Sequence, residues 1–333
     1  MLTVICPIYN EEKYIAKCLD SIIAQDYPKD QLEVLLIDGM STDRTRALIS
    51  DYIEQHPYFC LIDNPDRIAP CAMNRGIEAA HGEVIMRLDA HADYPADYFT
   101  ILTRCLDELK ADNIGAPCRT DVLNKSPKTL AIKEVLSHRL GVGNSLFRTG
   151  ITKAQRVDTV PFGCWPKETF QKYGLYDERL VRNQDIELNK RILRGGGTIY
   201  LIPDTFCTYY ARESFKELFI NNFRNGKWNI LTVYYTKELR SLSLRHFVPL
   251  CFVLSLLLPL IAGFFWHPLW MIGIASLVAY ILLVGGVSLG LYRTKKLNFL
   301  RLVESFFVLH LSYGLGSLAG LLSLPFLKQK NRI

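Results

Sequence analysis

Gly82-Glu83-Val84-Ile85-Met86-Arg87-Leu88-Asp89-Ala90-His91-Ala92-Asp93 is a short apolar run that breaks off into Asp-x-His-x-Asp. Val84 to Leu88 reads as a buried strand, which puts the acids and the imidazole at its carboxyl end. In open α/β sheets that edge is where ligands bind. Clustered oxygen and nitrogen donors there suit a divalent cation holding a phosphate-bearing substrate. A solvated acidic loop has the same wording, so the surrounding chain has to decide between them.

Upstream and downstream, strand-like and helix-like runs alternate. Strands are expected over Leu2 to Pro7, Leu32 to Ile37, Phe59 to Ile62, Val84 to Leu88 and Ile114 to Cys118. Helices are expected over Glu11 to Gln25, Arg44 to Gln55, Pro70 to Ala80 and Pro95 to Leu109. Ile15, Cys18, Leu19, Ile22 and Ile23 show the helical spacing. Ser41-Thr42-Asp43 offers cap chemistry for the second helix, and Pro70 suits a first turn. This rhythm predicts an α/β domain with a mostly parallel sheet and helices on both faces. From Arg119 to Asp158 the pattern loosens, with a helix expected somewhere in Asn124 to Arg139. A second block follows, with a helix from Asp185 to Leu193 and a strand from Thr198 to Ile202.

The last third is different. Phe247 to Tyr292 contains no Asp, Glu, Lys or Arg, and neither does Ser305 to Leu327. A bilayer-spanning helix needs about 20 apolar residues, so three hydrophobic helices are expected near 246–266, 269–291 and 303–327. The domain reading is therefore 1–235 for the α/β part and 236–333 for a membrane region. Much of the net charge of +6 flanks the apolar segments, through Arg240, Arg245, Arg293, Lys295, Lys296, Arg301, Lys328, Lys330 and Arg332. Such flanks face cytoplasm and anionic lipid, and they argue against a nucleic-acid partner. Three full crossings from a cytoplasmic domain would put the basic tail outside, so one segment is either interfacial or an exception. Met1 to Pro7 enters a strand with no basic segment before it, so the α/β part is expected in the cytoplasm. The nine cysteines include no Cys-x-x-Cys pair and read as reduced packing residues.

Four constellations place polar groups at strand ends or a helix start. They are Pro7-Ile8-Tyr9-Asn10-Glu11-Glu12, Asp38-Gly39-Met40-Ser41-Thr42-Asp43, Asp89-Ala90-His91-Ala92-Asp93 and Asn183-Gln184-Asp185-Ile186-Glu187. Any one of them is explicable as turn or cap chemistry. In a parallel sheet, however, the first three share one edge.

Their order and wording resemble the family 2 glycosyltransferases of the GT-A fold. That pattern runs from a Pro-x-Tyr-Asn-Glu strand end through an Asp-Gly-Ser-x-Asp type turn and an Asp-x-Asp motif to a Glu-Asp pair on a helix. The counterparts here are Pro7 to Glu11, Asp38 to Asp43, Asp89-Ala90-His91 and Gln184-Asp185. The variants are most similar to membrane-anchored exopolysaccharide glucosyltransferases of the succinoglycan type.

The resemblance implies roles residue by residue. Pro7, Tyr9, Glu11, Asp38, Arg67, Asn74 and Asp89 would bind the nucleotide sugar. Asp89 and His91 would hold a divalent metal, Mn2+ or Mg2+, with Asp93 as a further donor. Asp185 would be the general base on the acceptor hydroxyl. Trp165, Gln184, Arg224 and Lys227 would lie on the acceptor side; Trp165 reads equally as a core residue, and Arg224 and Lys227 equally as lipid headgroup contacts. The implied reaction is an inverting transfer from a UDP-sugar, glucose or a relative, to a polyprenyl-diphosphate-linked acceptor at the inner membrane. Partners would be membrane lipids and other polysaccharide assembly proteins. The alternatives are a polyprenyl-phosphate glycosyltransferase and, outside enzymes, a membrane scaffold or transporter with a nucleotide-binding domain. Two departures stand out: His91 replaces the second metal-motif acid, and Gln184 replaces the acid beside the base.

Overall fold

The computed structural model describes residues 1–327, so Lys328, Lys330 and Arg332 lie outside the described residues. The described chain forms two compact units, Met1–Asp121 with Ser145–Tyr210, and Val122–Asn144 with the residues from Ala211 onward.

In the first unit the strands are β1 (Leu2–Ile8), β2 (Leu32–Asp38), β3 (Phe59–Asp63), β4 (Val84–Arg87), β5 (Ala92–Asp93), β6 (Asn113–Gly115), β7 (Cys118–Asp121), β8 (Gln155–Arg156), β9 (Cys164–Pro166), β10 (Ile199–Leu201) and β11 (Cys207–Tyr210). The α-helices of the described residues are α1 (Ile15–Ile23), α2 (Thr45–Gln55), α3 (Ala69–Ala79), α4 (Tyr98–Leu109), α5 (Pro127–Val135), α6 (Arg139–Val142), α7 (Leu146–Thr149), α8 (Glu168–Tyr173), α9 (Gln184–Arg194), α10 (Phe215–Thr236), α11 (Val248–Ala262), α12 (Leu269–Lys295) and α13 (Phe299–Ser323). The main sheet runs β3-β2-β1-β4-β9-β6-β10-β8. Its first four strands are parallel, as the alternating pattern requires, while β9 and β8 enter antiparallel. Both faces are covered. Ile15, Leu19 and Ile22 of α1 with Phe99 and Leu102 of α4 build one core, and Met73 and Ile77 of α3 with Leu188 and Ile192 of α9 build the other.

Ile114 to Cys118, read as one strand from sequence, is two. Pro117 has no N–H for a ladder, and the chain changes sheets there. Asn113–Gly115 stays in the main sheet, and Cys118–Asp121 joins a small sheet of order β5-β11-β7. The Pro117 carbonyl is taken up by the Cys207 amide at 2.9 Å. The small sheet also pins Ala92–Asp93 against Thr208 and Tyr209, which turns the tail of the Asp-x-His-x-Asp stretch into an ordered edge rather than a free loop.

In the second unit, α5 opens with a capping box between Ser126 and Thr129 and lays Ala131, Ile132 and Val135 into a core with Leu302, Phe306 and Leu309 of α13. α10 lies against α13 closely enough that its backbone meets the partner helix. A Cβ added at Gly226 would fall 1.9 Å from the Tyr313 carbonyl, and one at Gly316 would fall 2.0 Å from that of Phe223. Small residues permit this approach. Leu244–Ala262, Leu269–Lys295 and Phe299–Phe326 are long and apolar enough to cross a membrane, matching the three expected segments.

Candidate active site

β1 is flanked by β2 on one side and β4 on the other, so the connections after β1 and β4 leave the sheet edge in opposite directions. Such a switch point opens a crevice at the carboxyl ends of the strands. Pro7, Tyr9, Glu11, Arg67, Arg87 and Asp89 line a cleft there. Among the residues expected to bind a nucleotide sugar, the fold thus brings Pro7, Tyr9, Glu11, Arg67 and Asp89 to one opening. Asn10, Met40, Arg67 and Asn183 adopt left-handed backbone at φ 54°, 61°, 60° and 62°. Non-glycine residues rarely do so, and such positions concentrate at functional loops.

The loops after β1 and β2 are stitched together. The Asn10 amide donates to Ser41 Oγ at 2.9 Å, the Thr42 amide to Asn10 Oδ1 at 2.8 Å, and the Glu11 amide to Thr45 Oγ1 at 2.8 Å. Ser41 and Thr45 therefore fasten the neighbouring loop, while Asp43 Oδ1 receives the Thr45 amide at 3.0 Å. Gly39 sits where a Cβ would come within 3.2 Å of the Tyr9 ring, so a side chain there would push that ring outward by a few tenths of an ångström. Asp38 is fully buried. Its carboxylate accepts from the Ser41 amide at 3.0 Å, Ser41 Oγ at 2.5 Å and Arg46 at 2.6 Å, and Arg46 also reaches Asp63 at 2.7 Å. Arg46 is a residue that the motifs do not flag; its place in the first turn of α2, eight positions after Asp38, is the available signal.

Asp89 stands at the end of β4. His91 Nδ1 lies 2.9 Å from Asp89 Oδ1 and 3.3 Å from Glu11 Oε1. It is buried and makes no well-formed hydrogen bond, so charge attraction rather than directed bonding holds it. Burial pushes the Asp89 carboxyl up, but the His91 imidazolium and the Arg87 guanidinium outweigh that and hold it at about 2. Burial disfavours the charged imidazole of His91, yet Asp89 and Glu11 raise it well above its ordinary value. Asp93 does not join this group: it pairs with Lys17 at 2.7 Å and accepts from Tyr210 Oη at 2.7 Å. Among the described residues no set of three or more His, Cys, Asp or Glu side chains forms a self-contained metal cage. An ionised Asp89 beside His91 and Glu11 fits instead a hard cation shared with substrate, since Mg2+-type ions are held by one or two carboxylates together with phosphate oxygens.

Asp185 lies in the first turn of α9, where its Oδ1 accepts the Ile186 amide at 2.9 Å. Gln184 precedes it as the first helical residue and is buried. Asn74 is also buried, and its amide is committed. Nδ2 donates to the Tyr176 carbonyl at 3.0 Å and to Glu178 at 2.9 Å, and Oδ1 accepts the Tyr176 amide at 2.9 Å. It holds the loop before α9 rather than facing the cleft. Trp165 is 1 % exposed and sits edge-to-face with Tyr176 in the core, so the indole has no face for an acceptor sugar. The core alternative holds for that residue. Arg224 and Lys227 lie on α10 in the second unit. The residue that the motifs did not flag is Arg87, which is buried, lines the cleft and lies within the electrostatic reach of Asp185 and Asp89. A charge inside an otherwise apolar strand was its signal.

Residues 3–167 match the family model described as glycosyl transferase family 2. A Methanococcus voltae protein, dolichyl N-acetyl-alpha-D-glucosaminyl phosphate 3-beta-D-2,3-diacetamido-2,3-dideoxy-beta-D-glucuronosyltransferase, is 27% identical over 70% of this chain and 77% of its own length. The succinoglycan biosynthesis protein ExoA of Rhizobium meliloti (strain 1021) is 28% identical over 67% of each. Among solved structures, the mannosyltransferase PcManGT from Pyrobaculum calidifontis, in complex with GDP-Man and Mn2+, superposes with a TM-score of 0.57 at 19% identity, covering 94% of this chain and 86% of that one. At that identity the likeness is one of fold, the GT-A architecture.

Proposed function

We propose, from the premise that this chain belongs to glycosyltransferase family 2, that it is an inverting transferase moving a sugar from a UDP-sugar to a lipid-linked acceptor. Membership of an enzyme family sets aside the scaffold or transporter alternative. The observation that carries the reading is an ionised Asp89 at the switch-point cleft, on a chain that also carries three membrane-length helices. The Methanococcus voltae relative is named for transfer onto a dolichyl-linked sugar, which supports an acceptor confined to the bilayer. A polyprenyl-diphosphate-linked sugar is such an acceptor, in exopolysaccharide or cell-surface glycan assembly. The basic residues flanking the helices support a catalytic unit on the cytoplasmic face of the inner membrane, with other assembly proteins beside it.

Pro7, Tyr9, Glu11 and Arg67 bind the nucleotide. Asp38, spent on Ser41 and Arg46, shapes the turn beneath it and presents its base-reading groups through that turn. Asn74 positions the loop leading to Asp185. Asp89 with His91 would hold a divalent cation, which would supply neutralisation of the charge on the departing diphosphate. Asp185 takes the acceptor proton from the face opposite the leaving group. A screen of labelled nucleotide sugars with membranes containing the chain tests this. Transfer into a lipid-extractable product from a UDP-sugar is expected. Label on a lipid phosphate with no prior sugar would favour the polyprenyl-phosphate alternative. Absence of transfer from every donor, together with absence of nucleotide binding, sinks the proposal.

A further inference from the structure

Side chains of β4 alternate between the two cores. Met86 enters the core with α1 and α4, and Ile85 the core with α3 and α9. By the period of two, Arg87 follows Ile85, and the residue lines the cleft. The residue is 8 % exposed, and its Nε and Nη1 have no hydrogen-bond partner. Among the described residues, no carboxylate oxygen pairs with it within 4.0 Å. Tyr176, Asp185 and Asp89 are the groups whose fields reach it.

Arg87 has company. Tyr176 Oη, Trp165 Nε1 and Gln184 Oε1 are also buried without a partner. The Trp165 and Tyr176 ring centroids are 6.5 Å apart, and Gln184 adjoins Asp185. Native interiors leave very few such atoms, and an unpaired buried guanidinium is the most costly kind. Two carboxylates sense Arg87 without bonding it, so the Nε and Nη1 donors of its planar fork are unspent beside the cleft. That fork matches two oxygens of one anion.

We propose that Arg87, with the Tyr176 hydroxyl beside it, forms an oxyanion-binding subsite for the donor, next to Asp185. This rests on the transferase reading and deepens it. The oxyanion is supplied either by a carboxylate on the donor sugar or by the diphosphate, and the two sources separate by experiment.

The full chain in detergent with Mn2+ is titrated calorimetrically with UDP, UDP-glucose and UDP-glucuronate. Wild type is compared with Arg87→Gln, Arg87→Met and Tyr176→Phe, and ligand-free melting is recorded for each. We expect the Arg87 substitutions to weaken binding tenfold or more, Tyr176→Phe to weaken the same ligand a few-fold, and ligand-free melting to hold or rise. Loss confined to UDP-glucuronate assigns the sugar carboxylate; equal loss for all three assigns the diphosphate. Unchanged affinities for all three ligands, or a lowered ligand-free melting temperature with unchanged affinities, overturn the subsite alone. Wild type that binds none of the three overturns the UDP-donor reading and the subsite with it. Should the Arg87 variants fail to fold, unchanged affinities in Tyr176→Phe overturn the proposal.

Discussion

His91 Nδ1 stands 2.9 Å from Asp89 and 3.3 Å from Glu11, so one imidazole ties the end of β4 to the loop after β1. Where an acid–acid pair would repel without a cation, an imidazolium between two carboxylates is self-compensating. The motif is thereby ordered before any ligand arrives.

That arrangement fixes the sign of a pH effect. Asp89 and Glu11 raise His91 against the opposing effect of burial, so it carries its proton at neutral pH. A metal-ligating imidazole must be neutral, and binding has to expel that proton. Mn2+ affinity is expected to rise with pH until His91 has titrated. Calorimetry in two buffers of different ionisation enthalpy should report about one proton released per ion bound, and none in His91→Ala. Proton-neutral binding by wild type removes His91 from the ligand set.

Asp185→Asn keeps the shape of the first turn of α9 but removes the proton acceptor. Transfer should fall by about 10²–10⁴-fold, with UDP affinity changed by no more than a few-fold. Steady-state transfer and UDP binding on the same preparation check this. Undiminished turnover would move the base elsewhere.

Asn74→Ala is expected to act on stability. It leaves the buried Tyr176 amide and carbonyl without the partners seen at 2.9 and 3.0 Å. A loss of about 2–4 kcal/mol follows from two unsatisfied buried groups. Denaturant unfolding measures it; a variant of wild-type stability with lost UDP affinity would return Asn74 to the nucleotide site.

Glycines on α10, α12 and α13 should separate into two kinds. Gly226→Ala and Gly316→Ala insert a methyl at 1.9 and 2.0 Å from a backbone oxygen, forcing α10 and α13 apart at a cost of about 1–3 kcal/mol or more. Gly286 has nothing within 4 Å of an added Cβ, so Gly286→Ala should be neutral or gain up to about 1 kcal/mol of helix propensity. Melting in detergent ranks the three, and equal effects would argue against the close crossing.

Much of the scaffold was legible because it rests on period and punctuation. The β1, β2 and β4 runs are short, apolar and cut off by acids, which is how strands ending at a polar edge must read. The change of sheet at Pro117 was hidden inside one apolar run, since periodicity does not say which neighbour a strand pairs with. Motif wording nominates Asp38 and Asn74 as site residues but says nothing of their partners. Asn74 is consumed by Tyr176, 102 positions away, which no local pattern encodes, whereas Ser41 and Arg46 lie only three and eight positions from Asp38. Arg87 was visible as a charge in a buried strand; its lack of a partner was not.

The packing of α5 bears on how a crystallographer would trim this chain. Ala131, Ile132 and Val135 find their cover in Leu302, Phe306 and Leu309, some 170 positions later. The Gly226 surface of α10 finds its cover in Tyr313 and Ser317. A truncation at the first hydrophobic segment, the usual route to a soluble catalytic fragment, strips both at once. It exposes the apolar stripe of α5 and a face of α10 on which Leu218, Ile230 and Leu231 stand among Asn222, Gly226 and Asn229. Loss of solubility in such a fragment would come from bared helix faces and not from a defective sheet, and the remedy is to replace the apolar residues of those faces with polar ones rather than to move the cut.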